Sequence, residues 1–70
     1  MMKAYRSHAG IVHLQRRDGC LTIVAHYAGI HEVPVIVGSR LLWSRHTPRP
    51  IRRMAIHALR QKQILERRRT

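Results

Sequence analysis

The sequence predicts a small α+β domain in which a three-stranded antiparallel sheet packs against one long C-terminal helix. Two observations predict it: the pair Asp18-Gly19 separates two strand-like runs, and residues 51–68 show the apolar spacing of a helix. The chain has 70 residues and is 44% hydrophobic, too apolar for a disordered tail and too short for a second core. We therefore expect one small basic domain over residues 1–70, with 1–9 as an extended N-terminal arm and 66–70 as a basic tail.

The first predicted element is a β-hairpin that turns at Asp18-Gly19. Both residue types tolerate the positive φ of a type I′ turn, and a two-residue loop there places Arg17 opposite Cys20. This register gathers five apolar side chains on one face: Val12, Leu14, Leu21, Ile23 and Ala25. A slip of one residue would move them all to the other face, so the pattern predicts the register as well as the hairpin.

A third strand is predicted over residues 33–37, after a second turn around Gly29, because its valines alternate. Pro34 has no N–H to donate, so this strand should be an edge or should turn the proline nitrogen outward. Leu41, Leu42 and Trp43 are expected to anchor the following segment on the sheet. Two prolines within residues 44–50 indicate a loop.

The last predicted element is a helix over residues 51–68. Its apolar residues share one broad face that should pack on the sheet: Ile51, Met54, Ala55, Ala58, Leu59 and Leu65. Arg53, Arg60 and Arg67 recur every seven residues on the opposite side, with His57 beside them. A helix of this length extends roughly 25–30 Å, so these arginines form a straight basic stripe along it.

The charge of the chain indicates a polyanionic partner. It has 14 Lys and Arg against 3 acidic residues, a formal net charge of +11, and nucleic acid is the usual compensation for such an excess. We expect phosphate contacts from seven arginines: Arg16, Arg17, Arg53, Arg60, Arg67, Arg68 and Arg69. Only three residues are aromatic and none is Phe, so recognition of backbone and shape is favoured over a base-stacking platform.

The expected role is an RNA-contacting accessory or ribosomal-type component of a ribonucleoprotein, with RNA favoured over DNA and other proteins of a larger assembly as further partners. A DNA-binding regulator or a phage-like recombination factor is one alternative. A small inhibitor that docks on an acidic surface of a nucleic-acid-processing protein is another.

Residues 24–30 support the DNA-binding alternative by a resemblance. The run Val24-Ala25-His26-Tyr27-Ala28-Gly29-Ile30 resembles the first helix and turn of LacI-type helix-turn-helix repressors. That resemblance implies a recognition helix through residues 33–37, a β-branched stretch that contains a proline and lacks polar base-reading side chains. The hairpin and the helix-turn-helix are therefore rival folds for one segment.

A second resemblance concerns HicA-type toxins, small RNases with a double-stranded-RNA-binding-like fold. Ser7-His8, the hairpin at Asp18-Gly19 and His26 ahead of Glu32 are similar to the order of elements in that family. The resemblance implies a catalytic role for His8. The family starts with a full helix before its Ser-His pair, whereas here only six residues precede Ser7, and the later histidine is offset by one. The RNase is accordingly the last of the alternatives.

The sequence favours a non-enzymatic protein without metal, cofactor or small-molecule substrate. It contains no carboxylate pair for acid–base chemistry, and Glu66 is expected to pair with Lys62 on the helix. Cys20 is expected to be a half-buried hydrophobe, and no Cys-x-x-Cys spacing indicates zinc. The longest mostly apolar stretch, residues 33–38, is far shorter than the roughly 20 residues of a membrane span. We expect no membrane partner and an intracellular location, in the cytoplasm or an organellar matrix.

Overall fold

The computed structural model describes residues 4–68, which form six strands and one helix. In chain order these are β1 (Ala4–Arg6), β2 (Ile11–Arg17), β3 (Cys20–Tyr27), β4 (Ile30–Glu32), β5 (Val35–Val37), β6 (Arg40–Leu42) and α1 (Arg49–Arg68). Strands β1 to β4 form an antiparallel sheet in sequential order, and β5 and β6 form a separate two-stranded sheet. The predicted α+β class is confirmed, but the prediction of three strands is wrong.

The β2–β3 hairpin has the predicted register. Arg17 pairs with Cys20 and Val12 pairs with Ala25, while Asp18 and Gly19 have φ of 50° and 81°, as a type I′ turn requires. The five apolar side chains predicted to share a face are all buried: Val12, Leu14, Leu21, Ile23 and Ala25. Because β3 is a strand through Tyr27, the LacI-type helix-turn-helix alternative is wrong for this segment.

Of the third strand predicted over residues 33–37, only Val35–Val37 is a strand, and it pairs with β6 instead of joining the hairpin's sheet. Before Pro34, β4 pairs with β3 through a turn at Ala28 and Gly29; after it, β5 pairs with β6. A proline cannot donate to a ladder, so it separates the two pairings. The predicted anchor around Trp43 forms β6 and the residues after it, and Leu41 and Trp43 do pack against the core.

Helix α1 begins at Arg49, slightly earlier than predicted, and buries the predicted face. Four of its residues are buried: Ile51, Ala55, Ala58 and Leu59; two more pack against the core from its margin: Met54 and Leu65. The carbonyl oxygen of Pro48 accepts hydrogen bonds from the backbone N–H groups of Ile51 and Arg52 at 3.1 and 3.2 Å. Pro50 lies in the first turn, where its missing N–H costs no helical hydrogen bond.

The core lies between α1 and one face of the four-stranded sheet. Strand β1 is an edge of that sheet and pairs with β2, with Tyr5 opposite Val12. The turn between β1 and β2 is closed by two backbone hydrogen bonds between Ser7 and Gly10, of 2.9 and 3.2 Å. A Cβ at Gly10 would lie 2.1 Å from the carbonyl oxygen of His26. Only glycine therefore lets this turn pack against β3.

Candidate nucleic-acid interface

The arginine stripe lies on the side of α1 that faces away from the sheet. Arg53, Arg60 and Arg67 are all exposed, and they are separated by seven residues, or nearly two helical turns. At a rise of 1.5 Å per residue the stripe extends about 21 Å from first to last. The buried residues of the opposite face hold α1 against the sheet, so the direction of the stripe is fixed by the core.

The stripe also has an apolar border. Ile56 and Ile64 are 50% and 46% exposed and lie on either side of Arg60.

Lys62 and Glu66 form the predicted i,i+4 ion pair, with Nζ 2.6 Å from Oε1. The carboxylate of Glu66 is thus paired with a cation of its own helix.

The remaining predicted arginines lie at two other places. Arg16 and Arg17 are exposed at the end of β2, and because alternate residues of a strand point to opposite faces, Arg16 lies on the α1 side of the sheet and Arg17 on the open side. The Nη1 of Arg16 donates to the carbonyl oxygen of Gly19 at 3.4 Å. Arg68 is exposed and ends α1, where a cation complements the helix dipole. Arg69 lies outside the described residues.

The open face of the four-stranded sheet carries a row of three histidines that was not predicted as a site. The row consists of His13 on β2, His26 on β3 and His31 on β4. The rings of His13 and His26 have centroids 5.2 Å apart, and those of His26 and His31 lie 4.8 Å apart and nearly parallel. The Nε2 atoms of His13 and His26 are 3.1 Å apart. We call this set the histidine row.

Strand register explains the histidine row. His26 pairs directly with His31, and it also pairs with Ile11, which places His13 as its diagonal neighbour on the same face. The hairpin register alone puts His13 and His26 on one face. The missing signal was His31, because β4 is only three residues long and lies before residue 33, where the predicted third strand begins.

The histidine row is a crowded set of weak bases. Partial burial lowers the pKa of His13, and the positive charges that His26, His31 and Arg17 present lower it further. A neutral imidazole offers one N–H donor and one nitrogen acceptor, which accounts for the contact between the two Nε2 atoms. Within residues 4–68 no group of three His, Cys, Asp or Glu side chains is arranged to hold a metal ion.

Glu32 is the centre of a polar network that the sequence did not predict. Its Oε1 accepts hydrogen bonds from the Tyr27 hydroxyl and from Oγ1 of Thr47, the latter at 2.8 Å, and its Oε2 accepts one from the backbone N–H of Ser44 at 2.8 Å. Burial alone would raise the pKa of Glu32, but these donors stabilise the charged form and lower the pKa to about 2. Glu32 therefore ties the segment before α1 to the end of β3.

The two residues considered for catalysis, His8 and Cys20, are both exposed. His8 is exposed in the turn between β1 and β2, where the Ser7 hydroxyl accepts a hydrogen bond from the backbone N–H of Ala9 at 3.1 Å. Cys20 is exposed. The expectation that it is half-buried is wrong, because Cys20 lies beside the turn, where the sheet ends. No helix among the described residues is long and apolar enough to cross a membrane.

Comparison of the chain with protein-family models, with curated proteins and with solved structures finds no match.

Proposed function

We propose that the protein is a non-enzymatic nucleic-acid-binding protein that contacts phosphates chiefly through the arginine stripe of α1. The observation that carries the proposal is the alignment of Arg53, Arg60 and Arg67 on the exposed side of a helix whose other side is buried. Arginine suits this role, since its planar guanidinium donates two parallel hydrogen bonds to a phosphate.

The length of the stripe fits a nucleic-acid backbone. Each strand of a duplex carries one phosphate per 3.4 Å of the axis, so a stripe of about 21 Å spans roughly six phosphates of one strand. Because packing holds α1 in place, little backbone entropy is lost when it binds. The charge of +11 adds long-range attraction that is independent of sequence.

We further propose that RNA is the preferred nucleic acid and that the protein works as an accessory component of a ribonucleoprotein inside the cell, in the cytoplasm or an organellar matrix. Arg16, Arg17, Arg68 and Arg69 would extend the contacts beyond the stripe. An equilibrium comparison of duplex RNA, duplex DNA and single strands of one sequence tests the preference. Tighter binding to DNA would favour the DNA-binding regulator instead.

The stripe itself is tested by replacing Arg53, Arg60 and Arg67 with Gln. The slope of log affinity against log salt should flatten by roughly two to three units, for many sequences alike. The matched control replaces Arg6, Arg40 and Arg45, which are exposed but lie outside α1, and so removes the same charge. The control should change the slope by less than about one unit. Equal slopes in the two triple variants would show that net charge, not the stripe, determines binding.

The non-enzymatic part of the proposal has its own test. Purified protein should leave a labelled RNA intact over hours, and the His8→Ala protein should behave identically. A general acid or base contributes about 10²–10⁴-fold to a rate, so cleavage that disappears in His8→Ala while binding is retained would establish the HicA-like RNase.

A further inference from the structure

Exposed apolar side chains are concentrated in the β5–β6 hairpin. Val35, Val37 and Leu42 are 60%, 54% and 50% exposed. Val35 pairs with Leu42, so both side chains lie on one face, and Val37 lies on the same face two residues further along β5. Contiguous apolar surface on a small, highly charged protein indicates a binding surface.

Beside this hairpin, an open groove of about 480 Å³ lies between β6 and α1. Its apolar wall consists of Leu41, Leu42, Trp43, Ile56 and Leu59. Arg40 and Arg52 also line the groove and supply its charge. The combination is an apolar groove with two cations, which we call the β6–α1 groove.

The chemistry of the β6–α1 groove selects among occupants. A second copy of the chain would bring another charge of +11 against Arg40 and Arg52, and repulsion opposes that contact. A nucleic acid would satisfy the arginines but has no aliphatic side chains to fill the apolar wall. An acidic segment with apolar side chains on one face satisfies both, because carboxylates accept charge-assisted hydrogen bonds from guanidinium groups.

We propose that the β6–α1 groove binds a short acidic amphipathic segment of a partner protein. Its apolar side chains contact Trp43, Leu42 and Ile56, and its carboxylates pair with Arg40 and Arg52. Nη2 of Arg52 already donates to the carbonyl oxygen of Ser44 at 3.3 Å, which holds the guanidinium in place, and a guanidinium has five N–H donors in all. The mode is that of a helix laid in a groove.

The groove adjoins the arginine stripe but is not lined by its arginines. Ile56 lines the groove and also borders Arg60, whereas the cations that line the groove are Arg40 and Arg52. The contacts of the segment with the groove therefore do not use Arg53, Arg60 or Arg67. A stripe variant should keep binding the segment.

Trp43 is the only tryptophan in the chain and lines the groove, so its fluorescence reports binding directly. The probes are synthetic peptides of leucine and glutamate with leucine at i, i+3, i+4 and i+7, the spacing of a helix, and versions with the leucines at alternate positions, the spacing of a strand. We expect the helical peptide to shift the Trp43 emission with saturation and the alternating versions to bind more weakly. Ile56→Ser should lower the affinity for the helical peptide about tenfold. Ile64→Ser alters a similarly exposed isoleucine outside the groove and should leave the affinity unchanged.

Three outcomes of the peptide titrations would overturn the proposal. The first is equal binding by a peptide of the same composition in scrambled order, or by one with lysine for glutamate. The second is a loss of binding in Ile64→Ser as large as that in Ile56→Ser, and the third is that no acidic amphipathic peptide binds with a Kd below about 1 mM, equivalent to about −4 kcal/mol. Sedimentation that shows a dimer abolished by Ile56→Ser would assign the groove to a second copy, and a saturable Trp43 response to duplex RNA, lost in Ile56→Ser, would assign it to nucleic acid.

Discussion

Replacing Glu32 with Gln should destabilise the protein at neutral pH far more than at acid pH. The substitution keeps the shape of the side chain but removes the charge that accepts hydrogen bonds from Tyr27, Thr47 and Ser44. These donors lie on β3 and in the segment that leads into α1. Losing the charge therefore weakens the connection between sheet and helix.

The magnitude follows from the lowered pKa. Glu32 has a pKa of about 2 in the fold against an ordinary value of 4.5, a difference worth about 3 kcal/mol. Solvent reaches part of the carboxylate, which reduces the expected loss to about 1–2 kcal/mol. The contribution is fully present above pH 4.5 and disappears as the pH falls toward 2, because the unfolded chain then takes up the proton before the folded one.

Urea unfolding followed by circular dichroism measures this. At pH 7 the wild-type free energy of unfolding should exceed that of Glu32→Gln by about 1–2 kcal/mol, and the two should converge as the pH falls through 4.5 toward 2. Glu66→Gln is the control and should cost at most about 0.5 kcal/mol, because its partner Lys62 forms only a surface pair. If Glu32→Gln fails to fold, Tyr27→Phe takes its place in the comparison, because it removes only one of the donors to Glu32. A Glu32→Gln protein with wild-type stability at pH 7 would refute the reasoning.

Two further predictions concern the histidine row and the first turn. The pKa of His13 is lowered from 6.5 in the fold, so the unfolded chain binds the proton first as the pH drops. The free energy of unfolding should therefore fall below about pH 6.5. His13→Gln should flatten this dependence between pH 8 and 5 in urea titrations, and an unchanged profile would contradict the prediction. Gly10→Ala should cost about 1–3 kcal/mol, since its Cβ would overlap the His26 carbonyl. Gly29→Ala, with nothing within 4 Å of the added Cβ, should cost only about 1 kcal/mol of turn strain, so equal losses in thermal unfolding would argue against a packing role for Gly10.

The sequence predicted the parts of the fold that depend on local pattern. Asp18-Gly19 and the alternation around it determine a hairpin register by neighbouring residues alone, and the buried face of α1 follows from helical periodicity. The exposure of Arg53 and Arg60 follows from the same periodicity. What failed was the segment around Pro34, where alternating valines predicted one strand over residues 33–37, whereas the strand is Val35–Val37 alone and pairs with β6.

The parts of the candidate site that were missed depend on pairings between distant residues. The histidine row requires His31 to be opposite His26, which is known only once β4 is recognised as a strand that pairs with β3. The Glu32 network requires Thr47, fifteen residues away, to return to the end of β3. The arrangement of the β6–α1 groove likewise depends on where the β5–β6 hairpin lies relative to α1, and no local pattern encodes that.

The separation of the β5–β6 hairpin from the larger sheet has a consequence for how the molecule opens. Within residues 4–68, the strand pairing of β5 is with β6 alone, so the hairpin can lose its hydrogen bonds without disturbing those between β2 and β3. We therefore expect its backbone amides to exchange with solvent through a local, low-energy opening, and those of Val12 and Ile23 to exchange only when the domain unfolds. One wall of the β6–α1 groove would then open independently, while the other wall, α1, stays packed on the larger sheet.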